Sequence, residues 1–401
     1  MKEYSRFTDY LIELNIILLI FAFPLNLVWF NRLWDALLVI WVIKKVAARE
    51  RFALPPSAGL LAAFASAVTV SALLSAQPPY IGKLRYFLKG VGLSMVAYDF
   101  FRYDQRRIVR VLNYFIACTL MVSLYATYEA IYLRGLNSRA QSFFENTFYL
   151  ALWSGVGLFI VIARLQKSSS KISSAVYYII MLILGTAFLL SKTRGPFIGM
   201  GATLLVLFFV SPHRSSLLKI STALIALMLT VFYVDDTLNI RLLSIMNNNS
   251  HLRWTIWQQS LALIRETFST LNWLFGKGPG MFKYEYPHFD KINQNFTFPH
   301  FVPFELLYVT GIVGLIISMI WFAFFYYKLF LLSKSVPAHH LKHIGMLPLL
   351  ILLICLVNES FFSRYFSFPF WFFVGVSFAL LDNSRHRDCK DVQRCKLMEM
   401  R

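Results

Sequence analysis

Ionisable side chains set into an otherwise apolar chain are the residues most able to do chemistry there. The stretch LLSKTRGPFIGMGATLL, residues 189–205, places Lys192 and Arg194 between two apolar runs, followed directly by Gly195 and Pro196. Proline suits the first turn of a helix. Arg194 is therefore expected just before the N-terminus of the next helix, where unpaired backbone N–H groups favour an anion. An arginine fork in that position would clamp a phosphate. A second group is HLRWTIWQQ, residues 251–259, in which Arg253 heads a polar segment that also carries Arg265. His300, in TFPHFVPFELLYVTGIVGL, stands just before another apolar run. Imidazole is the side chain best suited to removing a proton near neutral pH. His251 and His288 are rivals for that role, and composition does not choose between the three. Cations also recur at Lys83, Arg85 and Lys89, and at Arg134 and Arg139, where contact with lipid headgroups is the competing explanation. GKGPGMF, residues 276–282, reads as a glycine-rich turn, because it neither follows a strand nor completes a P-loop. The acidic residues of the same region, Asp235, Asp236, Glu266, Glu285 and Asp290, are scattered and form no paired-carboxylate motif. No metal or other cofactor is expected on that basis.

The elements that must position these residues follow from composition. The chain has 401 residues, 58% of them hydrophobic and 15% charged, with a mean hydropathy of +0.59. Soluble domains carry roughly 25% charged residues. Its 39 Phe, 20 Tyr and 9 Trp suit membrane interfaces and tightly packed helices. The expectation is an all-α integral membrane protein. With about 20 apolar residues per crossing, about twelve spans are expected, near 10–29, 33–48, 57–75, 84–101, 110–132, 147–164, 174–191, 196–211, 216–234, 304–327, 345–358 and 365–381. The first lacks a cleavage site after it and is expected to be retained.

Lysine and arginine alternate between the segments joining these spans, which places KKVAARER (44–51), RYDQRRIVR (102–110), RLQKSSSK (164–171) and the tail after 381 on the cytoplasmic side, with both termini inside. The net charge of +19 is largely accounted for in this way, and no nucleic-acid partner is expected. Four parts result: spans one to nine (1–234), a long external loop (235–303), spans ten to twelve (304–381) and a basic tail (382–401). A loop of that length usually has structure or function of its own. Within it, Ser250 is a plausible N-cap, and Leu252, Ile256, Leu261 and Ile264 recur at helical spacing. The four cysteines match no zinc, redox or disulfide pattern. No internal repeat of the kind that builds many transporters is visible.

The order SKTRG opening a span, R-W-x-x-W leading an external helix, GKGPGMF, and a histidine before a run containing GIVGL resembles the bacterial O-antigen ligase family and the related O-antigen polymerases. RAQSFFENTF (139–148) resembles that family's arginine-to-asparagine segment, which would give roles to Arg139 and Asn146. The family has asparagine after the histidine, whereas Phe301 stands here. The resemblance implies a membrane-embedded, metal-independent, inverting glycosyltransferase with its active site on the periplasmic face of the inner membrane. Its donor would be a glycan on undecaprenyl diphosphate, and its acceptor a hydroxyl of the lipid A-core. Arg194 and Arg253 would stabilise the departing diphosphate and His300 would act as base. Lys192, Lys83, Arg85, Lys89, Arg139, Asn146 and Arg265 would bind donor or acceptor. A polymerase with the same donor is the nearest alternative. A lipid-linked oligosaccharide transporter would need charges deep inside many spans, and a membrane scaffold would leave Arg194, Arg253 and His300 replaceable.

Overall fold

The computed structural model describes residues 2–75, 81–133, 139–144, 146–166, 170–210, 218, 221–222, 225–226, 250–286, 296–335, 341–357 and 359–399. Among them every regular element is helical. Helices α1 (Lys2–Leu25), α2 (Leu27–Ala47), α3 (Ala58–Leu74), α4 (Ile81–Phe101) and α5 (Gln105–Tyr128) lead into a π-helical turn at Glu129–Leu133. Next are α6 (Thr147–Leu165), α7 (Lys171–Leu190), α8 (Arg194–Val210), α9 (Ser250–Thr267) and α10 (Thr270–Phe275). Last come α11 (Val302–Ser335), α12 (Leu347–Cys355) and α13 (Arg364–Glu399).

Six segments among the described residues are long and apolar enough to cross a membrane: Arg6–Leu25, Gln105–Leu133, Thr147–Leu165, Lys171–Leu190, Val302–Leu331 and Arg364–Asn383. Ala58–Leu74 and Arg194–Phe209 are apolar but shorter. Helices stand at every expected span except the ninth, 216–234, which lies almost wholly outside the described residues. The difference in number has a physical reason. Helix α2 carries Arg32, Asp35, Lys44 and Lys45, α4 carries Lys83, Arg85, Lys89 and Asp99, and α12 has only 9 residues. The first boundary also falls earlier than expected. Asn26 accepts hydrogen bonds from the N–H groups of Val28 (2.9 Å) and Trp29 (3.1 Å), and so starts α2 one residue later.

Helix α4 lies along α13, α1 against α2, α6 against α7, α12 against α8 and α11 against α3. Their interior is aromatic: Phe23 stacks on Trp153 at 4.7 Å and on Phe368 at 5.3 Å. Two crossings need glycine, since a Cβ on Gly375 would strike the Ser94 carbonyl and one on Gly199 the backbone of Ile354.

The two ends of the bundle differ. At one end, Lys45 pairs with Asp99 (2.7 Å), Arg107 with Asp9 (2.9 Å), and the Tyr98 hydroxyl donates to Asp382. Helix α4 runs from Lys83 to Asp99, so its beginning faces the other end, where α6, α11 and α13 also begin.

That second end is organised by a break in α11. Gly311 adopts φ 64° and ψ −168°, which interrupts the helix. The nearby carbonyls find partners elsewhere: Tyr308 O accepts from Lys277 N (2.9 Å), and Val309 O accepts from Gly278 N (3.1 Å) and from the Ser71 hydroxyl. Gly276, at φ 76°, lies so close to Val309 that any Cβ would collide with its carbonyl. The GKGPGMF turn is thus docked on the break in α11. Lys277 Nζ then reaches Thr267 and Glu285 (both 2.7 Å), and the Tyr308 hydroxyl donates to Glu285 (2.8 Å). Helix α9 is amphipathic as expected, with a slightly rotated buried stripe of Ile256, Ser260, Leu263 and Ile264. Leu261 is only half-buried, and the Leu252 side chain is outside what is described.

Candidate functional site

Arg194 is the first residue of α8, with Gly195 and Pro196 in the opening turn. Before it, Lys192 takes φ 50° and is buried, its N–H bonded to Leu189 O at 2.9 Å. Arg253 lies in the first turn of α9, a helix that packs against α11. Burial, together with the charge of Arg194, holds the Arg253 guanidinium below its ordinary range. It remains a cation at neutral pH.

His300 comes just before α11 in a left-handed backbone conformation, φ 53°, uncommon for a residue with a side chain. Its ring lies 4.1 Å from that of Phe298 and 5.4 Å from that of Phe296. The indole N–H of Trp257, on α9, points to its carbonyl at 3.4 Å. Burial, and secondarily the charge of Arg253, push the imidazole down to about 4. Arg194 acts on Arg253 and Arg253 acts on His300, so three residues far apart in the chain share one electrostatic neighbourhood.

His300 also lines a cavity of about 350 Å³, together with Lys83 from the start of α4 and Asn146 from the start of α6. The Asn146 side-chain oxygen caps α6 by accepting from Phe148 N at 2.9 Å. Tyr149, Phe298, Tyr365 and Phe362 give the cavity aromatic walls, and Ser360 and Ser363 bring hydroxyls. Tyr149 and Tyr365 stack with centroids 3.6 Å apart.

Other sequence candidates lie elsewhere. Arg85 and Lys89 do not line the cavity with Lys83. Instead they pair with Asp35, at 2.5 and 2.6 Å. On a helix turning about 100° per residue, positions two and six beyond Lys83 are rotated roughly 200° and 240° from it. Arg265 is exposed near the far end of α9, about 18 Å along the helix axis from Arg253. Arg139 is exposed on a segment fastened by Gln141 N and Ser142 N to the Glu129 carboxylate, at 2.9 and 2.6 Å, and is not a cavity residue. The N–H groups of Lys277 and Gly278 are occupied by the α11 carbonyls, which supports reading GKGPGMF as a turn. His288 lies outside the described residues, as does the His251 side chain.

Two charged cavity residues were not singled out from sequence: Glu359, between α12 and α13, and Arg364, at the start of α13, both in NESFFSRY. The signal was available, since both are charges at the edge of an apolar run, the criterion that identified Arg194. Glu359 is pushed up to about 7, chiefly by burial; the Glu305 carboxylate also raises it, and hydrogen bonds from Ser363, Tyr149 and Ser360 N–H partly offset this. Among the described residues no three His, Cys, Asp or Glu side chains group as a metal site would require.

No curated protein matches the chain. Residues 179–319 match a family model described as O-antigen ligase, a stretch that contains Arg194, Arg253, the GKGPGMF turn and His300. The members of that family are glycosyltransferase-like ligases and polymerases, and the apolar helices with this match describe a multi-pass membrane protein. The match agrees with the resemblance read from the motifs: over residues 179–319 this chain matches the O-antigen ligase family.

Proposed function

We propose that this protein is an O-antigen ligase, transferring a glycan from undecaprenyl diphosphate to a sugar hydroxyl of lipid A-core on the periplasmic face of the inner membrane. The observation that carries this reading is the run Arg194, Arg253, His300 beside a polar, aromatic-walled cavity. Two neighbouring guanidinium groups repel one another, so their arrangement favours an anionic ligand between or beside them. A diphosphate supplies that charge, and supplies more of it as the bond to the sugar breaks. The pair therefore binds the leaving group more strongly in the transition state than in the ground state.

In this reading the acceptor sugar occupies the cavity, with ring faces against Tyr149, Phe298 or Tyr365 and phosphorylated core positions near Lys83 and Arg364. Imidazolium beside Arg253 would be disfavoured, so His300 is neutral at pH 7 and can accept a hydrogen bond from the attacking hydroxyl, in the position of a general base. Attack opposite the leaving diphosphate inverts the anomeric carbon. The long connection 235–303 would form the external wall of the site, and the twelve-span topology would place both termini in the cytoplasm.

Reconstitution tests this. Purified protein, undecaprenyl-diphosphate-linked glycan and lipid A-core, with chelator present, should give a ladder of larger lipid A-core on a gel. Arg194→Ala should abolish the ladder while the protein stays in the membrane. The polymerase alternative, which the family match also covers, predicts elongation of the lipid-linked glycan itself when core is omitted.

A further inference from the structure

The connection between α12 and α13 holds a carboxylate that the reaction above leaves without a role. Glu359 is 7% exposed and lines the same cavity as His300. Its carboxylate accepts from the hydroxyls of Tyr149 and Ser363, and from Ser360 N at 3.1 Å. Among the described residues these partners are hydroxyls and an amide, with no cation among them. They fix its direction without neutralising its charge, and such a buried carboxylate retains a strong demand for a proton. Tyr149 is in turn held by its stack on Tyr365. His300, by contrast, is a weak base in its setting of burial and neighbouring Arg253.

We propose that Glu359 takes the proton of the acceptor hydroxyl, with Tyr149 and Ser363 as positioning residues and His300 orienting the hydroxyl by a hydrogen bond. This rests on the transferase reading above, and divides between two residues the work that the sequence assigned to His300. The hydroxyl O–H bond breaks and its proton passes to a Glu359 oxygen, directly or through a cavity water. The oxygen's electron pair forms the new bond to the anomeric carbon. The bond from that carbon to the diphosphate oxygen breaks, with its pair remaining on the diphosphate, and Glu359 later returns its proton to water.

Around Glu359 are Tyr149 on α6, Glu305 on α11, Cys355 at the end of α12, and Tyr365 and Arg364 at the start of α13, with Lys83 and Tyr86 of α4 and His300 also lining the cavity. The experiment is the single-turnover rate of transfer to lipid A-core between pH 5.5 and 8.5, with donor affinity measured separately. The wild-type rate should rise through about pH 7, where Glu359 ionises. Glu359→Gln keeps the size and hydrogen-bonding oxygen of the side chain. It should lose about 10²–10⁴-fold in rate, lose the pH dependence and keep donor affinity, while Glu359→Asp should recover part of the rate.

Should Glu359→Gln fail to fold, Tyr149→Phe serves. It removes one donor to the carboxylate and should move the pH midpoint upward. A Glu359→Gln rate within threefold of wild type, or a pH midpoint that survives this change but vanishes in His300→Asn, would overturn the assignment and leave the transferase intact. Absence of transfer by the wild-type protein at every pH would overturn both.

Discussion

The electrostatic chain from Arg194 through Arg253 to His300 predicts that the two arginines fail differently when removed. Consider Arg194→Met and Arg253→Met. Each deletes one cation aimed at the leaving diphosphate, a loss of the kind that costs about 10²–10³-fold in rate, or about 2.7–4 kcal/mol. At pH 7 the two variants should be similarly impaired, and Arg→Lys should rescue poorly, because an ammonium cannot form the planar fork. Only Arg253 bears on His300, however. Removing it lifts the imidazole from about 4 toward its ordinary 6.5, without reaching it, since burial is the larger cause and persists. In the Arg253 variant His300 should therefore begin to protonate between pH 6 and 5, while in the Arg194 variant it stays neutral over that range. The assay is single-turnover transfer for both variants from pH 5 to 8, expressed as the ratio of their rates, so that titrations common to both cancel. The ratio of Arg253→Met to Arg194→Met should be level above pH 6.5 and fall about twofold by pH 5. A level ratio throughout would refute the coupling of Arg253 to His300, and losses under tenfold in both variants would refute the diphosphate clamp.

Other consequences are equally direct. Lys83→Met should weaken use of the acceptor at least tenfold, whereas Arg85→Met, which disrupts only a pair with Asp35, should leave transfer within twofold, as read from KM for lipid A-core in each variant. Gly311→Ala forces a side chain into the left-handed region against the Leu274 and Gly276 backbone, a cost of about 2–4 kcal/mol from conformation and overlap together. Its apparent melting temperature in detergent should fall, with the α9 and α10 region the first to become protease-sensitive. Glu359 has a folded value raised from 4.5 to about 7, so its contribution to stability is full below pH 4.5 and declines as pH rises to about 7. Glu359→Gln should therefore raise the melting temperature at pH 8, by the equivalent of at most about 3 kcal/mol, and leave it unchanged at pH 4.5.

Local chemistry made much of this protein legible in its sequence. Apolar runs marked the helices, Gly195 and Pro196 placed Arg194 at the start of one, and the order of motifs from Arg194 to His300 pointed to the family that the comparison matches. These signals are short-range: hydropathy, turn preference and capping act over a few residues. What the sequence left open was which charges meet. Lys83, Arg85 and Lys89 look equivalent along the chain, yet helix rotation sends Lys83 to the cavity and the other two to Asp35. GKGPGMF could have cradled an anion until the break at Gly311 claimed its amides. Glu359 could be flagged from sequence as a charge at the edge of an apolar run, but its pairing with Tyr149 and Ser363 and its desolvation depend on how the connection between α12 and α13 packs. Burial and long-range pairing depend on how distant helices pack, and no local window contains that information. The tertiary structure therefore selected, from many plausible cations and acids, the few that share one site.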